Sequence, residues 1–223
     1  MVDLGSKNRL MPMQAELFAG DALFARIARA VCAAGCLPRK ELYESWEMAR
    51  RVRRRVRGGR VVDWACGHGL LAHLMLILDD SSPAAVAFDT RLPPSAEKLQ
   101  YALVNAWPRL QDKVALVEAT QGPTLKAGDV VVSCHACGGL TDEVLHRAAS
   151  ARAFVAVMPC CHDVGSSDDG GLGGWLDAAL AIDATRGAHL RHAGYRVFTQ
   201  TIKREITPKN RLLIGIPEER AAG

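Results

Sequence analysis

From residue 60 onward, short apolar runs alternate with longer stretches of helical period. Runs at 60–65, 84–89, 113–118, 129–134 and 154–158 are bounded by turn residues, which predicts five strands. Between them, 70–78, 95–106 and 141–149 carry apolar positions three and four apart, which predicts helices. Strands joined by helices build βαβ units, and hence a parallel sheet covered on both faces. A further helix is expected near 175–193, followed by two strands at 196–203 and 211–216. The connection between these two, through Thr207-Pro208-Lys209-Asn210, is too short for a crossover helix and predicts an antiparallel hairpin. The loop 166–174, dominated by Gly, Ser and Asp, is expected to be mobile.

Ahead of the first strand the pattern is helical only. Leu17, Phe18, Leu23, Phe24, Ile27 and Val31 keep helical spacing across 13–35, and a second stretch runs over 39–57 until Gly58-Gly59 ends it. The chain is therefore read as a helical cap over 1–58 followed by an α/β domain over 59–223.

Composition narrows the class. Of 223 residues 49% are hydrophobic, which excludes a disordered chain and allows a substantial core. Every long apolar run is broken by Asp, Arg or His before it could span a bilayer, and residues 1–7 carry Asp3 and no apolar stretch. A cytoplasmic location is expected. Seven cysteines make an odd set, and two close pairs sit beside histidine, which suits reduced thiols or a metal site better than a disulfide framework. The net charge of +4 is modest, but six arginines (Arg50, Arg51, Arg53, Arg54, Arg55 and Arg57) crowd one helix end. They read either as a solvated face or as a contact surface for RNA phosphates, joined there by Lys203, Arg204, Lys209 and Arg211.

The chemistry starts at Asp63-Trp64-Ala65-Cys66-Gly67-His68-Gly69, where a strand turns into a helix. Glycines at such a turn admit a ligand close to the backbone, and the helix N-terminus offers free N–H groups. Asp89 follows at the end of the next predicted strand, where a carboxylate can accept both hydroxyls of a ribose. The pattern Gly67-x-Gly69-x-x-Ala72 also satisfies the dinucleotide fingerprint, but Asp63 would repel a pyrophosphate and welcome an ammonium. That favours S-adenosylmethionine over a dinucleotide.

Together, the Asp63–Gly69 turn, Asp89 and the terminal hairpin resemble the class I S-adenosylmethionine-dependent methyltransferases over roughly 39–216. Two later segments, Ser133-Cys134-His135-Ala136-Cys137-Gly138-Gly139-Leu140-Thr141-Asp142 and Met158-Pro159-Cys160-Cys161-His162, are similar to the paired HxCG and CCH/CCY motifs of one branch. That branch includes a tRNA 2′-O-methyltransferase and the methyltransferase-like domain of a glutathione S-transferase C-terminal-domain-containing protein. The resemblance implies a Rossmann-like, seven-stranded, mostly parallel sheet with a terminal antiparallel hairpin and N-terminal helices. It implies that Asp63 and the backbone of Ala65, Cys66, Gly67 and Gly69 hold the methionine portion of the cofactor. Asp89 would hold the ribose, and Glu118 or the adjacent Ala119 N–H would meet the adenine. Cys134 and His135 would lie under the sulfonium. Ala65 stands where the family usually has Gly. His162-Asp163 stands where the tRNA enzyme has two His, and that enzyme's accessory zinc-binding segments are absent.

Read from the residues, Cys134, His135, Cys137, Cys160, Cys161 and His162 fall at one end of the sheet. Three readings remain: an active-site wall where His135 or His162 moves a proton, a metal site, or packing of small thiols. Cys160-Cys161 is expected to be a poor ligand pair, since adjacent strand residues point opposite ways, and no metal is assigned. Cys32, Cys36 and Cys66 read as packing. His135 is the first candidate proton acceptor, then His162, with Asp142 as an orienting carboxylate or simply a charge at a helix N-terminus. The expected activity is methyl transfer to an acceptor for which RNA is slightly favoured. A small molecule or protein side chain is the alternative, and a non-catalytic nucleoside-binding module is the third possibility.

Overall fold

The computed structural model describes residues 3–218. The expected strands form with small shifts: β1 Val61–Trp64, β2 Ala85–Asp89, β3 Val114–Glu118, β4 Val130–Ser133, β5 Phe154–Val157, β6 Tyr195–Thr201 and β7 Arg211–Pro217. The helices are α1 Leu23–Ala34, α2 Arg39–Arg53, α3 Leu70–Ile77, α4 Ala96–Ala106, α5 Gly139–Ser150 and α6 Ala178–His192. The sheet order is β3-β2-β1-β4-β5-β7-β6, with β7 alone antiparallel to its neighbours. β1 pairs with β2 on one side and β4 on the other, so the order reverses there. The carboxyl ends of β1, β2 and β4 therefore open onto one crevice, the usual ligand position in such sheets.

Alternate residues of each strand feed two cores. Val61, Ala85, Ala87, Val130, Val132, Phe154 and Ala156 face one side and pack with α1 to α4, while Val62, Trp64, Val131, Val155 and Val157 face the other and pack near α5 and α6. All eight residues of α3 are buried, which explains a sequence apolar on every face. Leu10, Ile27, Leu42 and Met48 from the N-terminal stretch lie in the first core with the strands, so the helices ahead of residue 59 share its packing.

Three element ends differ from the sequence reading. The stretch 13–35 splits into a 3-10 segment, Pro12–Leu17, and α1, because Arg29 ties down the Phe18 and Gly20 carbonyls in a separate loop. α2 stops at Arg53 rather than near Arg57, where the Arg55 N–H turns back onto the Val52 carbonyl at 2.8 Å and tightens the last turn. α6 starts at Ala178, set by Asp177, whose Oδ1 accepts the Leu180 N–H at 3.1 Å. Among the described residues no helix is long and apolar enough to cross a membrane.

Candidate functional site

The turn after β1 is tied to β2. Cys66 N–H donates to the Phe88 carbonyl at 3.0 Å, and Gly67 N–H donates to Asp89 Oδ2 at 2.9 Å. Ala65 sits at φ +57, in the left-handed region, which is why glycine is usual there. At Gly69, φ +74, a Cβ would be strained by the left-handed backbone and crowded to 3.1 Å from the side chains of Ala87 and Leu116. Asp63 is buried in β1, and its Oδ2 accepts the Ala72 N–H of the first turn of α3 at 3.0 Å. Burial pushes its pKa up to about 8, against the pull of the Ala72 bond and with a further push from Asp89.

Glu118 is exposed beside Asp89 in the β2–β3 register, and its Oε2 accepts the Leu92 N–H at 2.7 Å. The adjacent Ala119 N–H is already spent, donating to the Asp89 carbonyl at 3.1 Å. The expectation that this N–H meets an adenine edge is corrected: sheet pairing continues one residue past β3.

Asp63, Ala65, Cys66, His68, Cys134 and His135 line a narrow cavity of about 20 Å³, to whose lining Leu37 and, from α2, Glu41 and Ser45 also contribute. Glu44 is buried beside it. Its Oε1 pairs with Lys40 Nζ at 2.9 Å, whereas Oε2 has no hydrogen-bond partner and stands 3.6 Å from His135 Nε2. Burial pushes the Glu41 carboxyl up, and Glu44 pushes it further. Burial lowers the His135 pKa, Glu44 opposes that, and Lys40 adds to it. Burial also raises the Cys134 thiol strongly, helped by Glu44 and Asp63. Three carboxylates with one unpartnered oxygen fit a ligand carrying an ammonium and a sulfonium, and do not fit a pyrophosphate.

Glu41, Glu44 and Ser45 were not among the sequence candidates. The signal was there: they are polar residues on the same side of α2 as Leu42, Met48 and Val52, all buried or half-buried.

The other expected site residues lie elsewhere. The His162 side chain is buried, with Nε2 2.8 Å from Asp183 Oδ1. Asp142 is gripped by Arg186 through two contacts of 2.7 Å, and Arg186 and Arg211 also reach Asp183. This network ties α5, α6 and β7 together. Asp142 therefore orients no histidine; Glu44 holds that place beside His135. The six cysteine and histidine residues do not converge on one point either. Cys134 and His135 belong to the cavity, while the Sγ atoms of Cys137, Cys160 and Cys161 form a separate group within 4.8 Å of one another. Opposite orientation of Cys160 and Cys161 was expected from a strand, but β5 ends at Val157 and both residues lie in the loop beyond it.

The arginine run is also corrected. Arg53 is buried, with Nη1 3.1 Å from Asp79 Oδ2, Nη2 donating to Ser82 Oγ at 2.7 Å and Nε to the Met75 carbonyl at 3.0 Å. Arg50 and Arg51 pair with Glu47. Arg54, Arg55 and Arg57 remain exposed.

Residues 40–165, more than half of the chain, match the sequence pattern of a family described as a methyltransferase domain. The chain belongs to this methyltransferase family. No curated protein matches the sequence. Among solved structures, an O-methyltransferase family protein from Burkholderia thailandensis is 20% identical with a TM-score of 0.52, over 97% of this chain and 66% of that one. A tRNA methyltransferase from B. subtilis is 12% identical with a TM-score of 0.52, over 78% of this chain and 67% of that one. The chain thus spans about two thirds of the length of each. These likenesses establish the Rossmann-like methyltransferase fold, and the cavity of the methyltransferase domain lies at the switch point where that fold places its ligand.

Proposed function

We propose that the protein transfers methyl groups from S-adenosylmethionine, with 1–58 acting as the cap of the cofactor cleft. One observation carries the reading: an acidic cavity, with an unpartnered buried Glu44 oxygen beside it, opens beside the glycine turn at the carboxyl ends of β1 and β4. Asp63 and Glu41 would take the ammonium, the Ala65–Gly69 backbone the methionine portion, Asp89 the ribose and Glu118 the adenine side. The cofactor supplies an electrophilic methyl group on sulfur and leaves as a neutral thioether. The protein then has to orient the acceptor, exclude water and receive a proton. His135 Nε2 faces Glu44, so Nδ1 is the atom that takes the proton from a hydroxyl or protonated nitrogen, and Glu44 stabilises the resulting imidazolium. The paired HxCG and CCH motifs supply the branch assignment within the family, which stays part of this proposal.

For the acceptor, a small molecule or protein side chain is favoured, because Arg53 is buried against Asp79 and Arg50 and Arg51 are paired with Glu47 of their own helix. RNA stays the second reading on one observation: Arg54, Arg55, Lys203 and Arg204 are exposed, and Arg55 stacks 4.0 Å over Phe198 of β6, a few residues ahead of Lys203.

Calorimetry with S-adenosylmethionine and its demethylated product tests the donor. Binding should weaken at least about tenfold in Asp89→Ala, the loss of a charge-assisted hydrogen bond. Heat with a nicotinamide dinucleotide and none with the sulfonium nucleoside overturns the reading. Labelled methyl transfer into RNA, protein and metabolite fractions then identifies the acceptor class.

A further inference from the structure

We infer that Cys137, Cys160 and Cys161 form a three-thiolate site for a soft divalent cation of the zinc class, with a fourth position open to solvent. All three Sγ atoms lie within 4.8 Å of one another, and those of Cys137 and Cys160 are 2.8 Å apart. Cys137 and Cys161 are exposed. Cys137 comes from the loop after β4 and the other two from the loop after β5. The loops are fastened to each other: Met158 N–H donates to the Ser133 carbonyl at 2.9 Å, and Gly138 N–H to the Cys161 carbonyl at 3.0 Å. Each has a further anchor. Thr141 Oγ1 donates to the Ala136 carbonyl at 2.5 Å, Arg186 Nη2 donates to the Gly138 carbonyl at 3.1 Å, and His162, next to Cys161, is held by Asp183. The thiols are thus brought together by backbone built before any ion arrives.

Thiolate sulfur selects zinc-class and other soft ions over magnesium or calcium. Metal–sulfur bonds of about 2.3 Å at tetrahedral angles put ligand sulfurs about 3.8 Å apart, so the Cys137–Cys160 pair would open by about 1 Å, with Cys161 Sγ within 4.8 Å of both. Binding balances as three thiols and one divalent cation giving an anionic three-thiolate complex and three released protons. Three protein ligands with one free position is the arrangement of a reactive zinc ion rather than a closed structural one. Neither Cys134 nor the His162 ring belongs to the group.

Cobalt(II) reports the site, since thiolate ligands give it charge-transfer absorption. The reduced, metal-free full chain should take up one equivalent of Co²⁺ with that absorption, release protons, and lose the colour on addition of Zn²⁺. Cys137→Ser and Cys161→Ser should each bind at least about a hundredfold more weakly, more than the loss of a supporting residue around a metal site costs. Cys36→Ser, a buried thiol far from the group in sequence, should bind as the parent does, with circular dichroism checking that every variant folds. Uptake without thiolate absorption, absorption that survives Cys161→Ser, or a Cys137–Cys160 disulfide forming in the presence of stoichiometric zinc overturns the inference. None of these readouts requires methyl transfer.

Discussion

Ala65 carries the clearest cost at the level of one residue. Held at φ +57, it bears about 1–2 kcal/mol of left-handed strain that glycine would not. After the greater chain entropy of glycine is set against this, Ala65→Gly should raise stability by about 0.5–1 kcal/mol in urea denaturation and leave cofactor affinity unchanged. Two buried titratable side chains set opposite pH slopes. Asp63 is held up to about 8, so between about pH 4 and 8 the folded state keeps a proton the unfolded chain has lost, and stability falls as pH rises. Glu41 adds to the same fall. His73, buried with Nδ1 on the Gly69 carbonyl, is lowered to about 4, so its contribution rises with pH between about 4 and 6.5. In the parent these oppose one another at acid pH, and the fall emerges above about pH 6.5. Urea midpoints of Asp63→Asn across pH 4 to 8 should lose that fall and expose the rise; a profile parallel to the parent's would refute the assignment. Binding of a cationic ligand should tighten toward pH 8 in the parent, by no more than about tenfold per unit, and stay flat in Asp63→Asn.

At the level of the element, α2 shows what a helical pattern hides. Its existence and its start were legible, because Pro38 precedes it, whereas its end was not, since it stops at Arg53 ahead of the two glycines. Its chemistry was not. Six crowded arginines suggested a surface, yet Arg53 points inward to Asp79, and burial lowers its pKa to about 10 despite that partner. Periodicity alone cannot say which charged residue finds a buried counter-ion beyond the next strand and helix, since that depends on where α3 ends. Arg53→Ala should cost about 3–5 kcal/mol by leaving Asp79 buried without its partner, while the exposed Arg54→Ala stays within about 0.5. The same helix supplies Glu44, and Glu44→Gln should lower the apparent pKa of the proton acceptor in the pH–rate profile and weaken binding of the cationic cofactor. A profile that does not move would remove Glu44 from the proposed role.

For the whole molecule, the sheet was the most legible feature, because five apolar runs alternating with helices and a short terminal connection admit few arrangements. The crevice position of Asp63 and Asp89 follows from that topology. The loops after β4 and β5 were misread where strand geometry was extended past its end, and Asp142 and His162 were misplaced because their partners come from α6 and β7. If RNA is the acceptor, its binding should weaken steeply with salt, and Arg54→Ala with Arg55→Ala should flatten that dependence; salt-insensitive binding would rule out the exposed arginines as phosphate contacts. One feature of the topology also governs synthesis. β7 is inserted between β5 and β6, so the bonding edge of β5 stays bare until residues 211–217 have left the ribosome. A nascent chain stalled, or cut, before that point presents an apolar ribbon ready to pair with its neighbours, and self-association of such fragments is the expected fate.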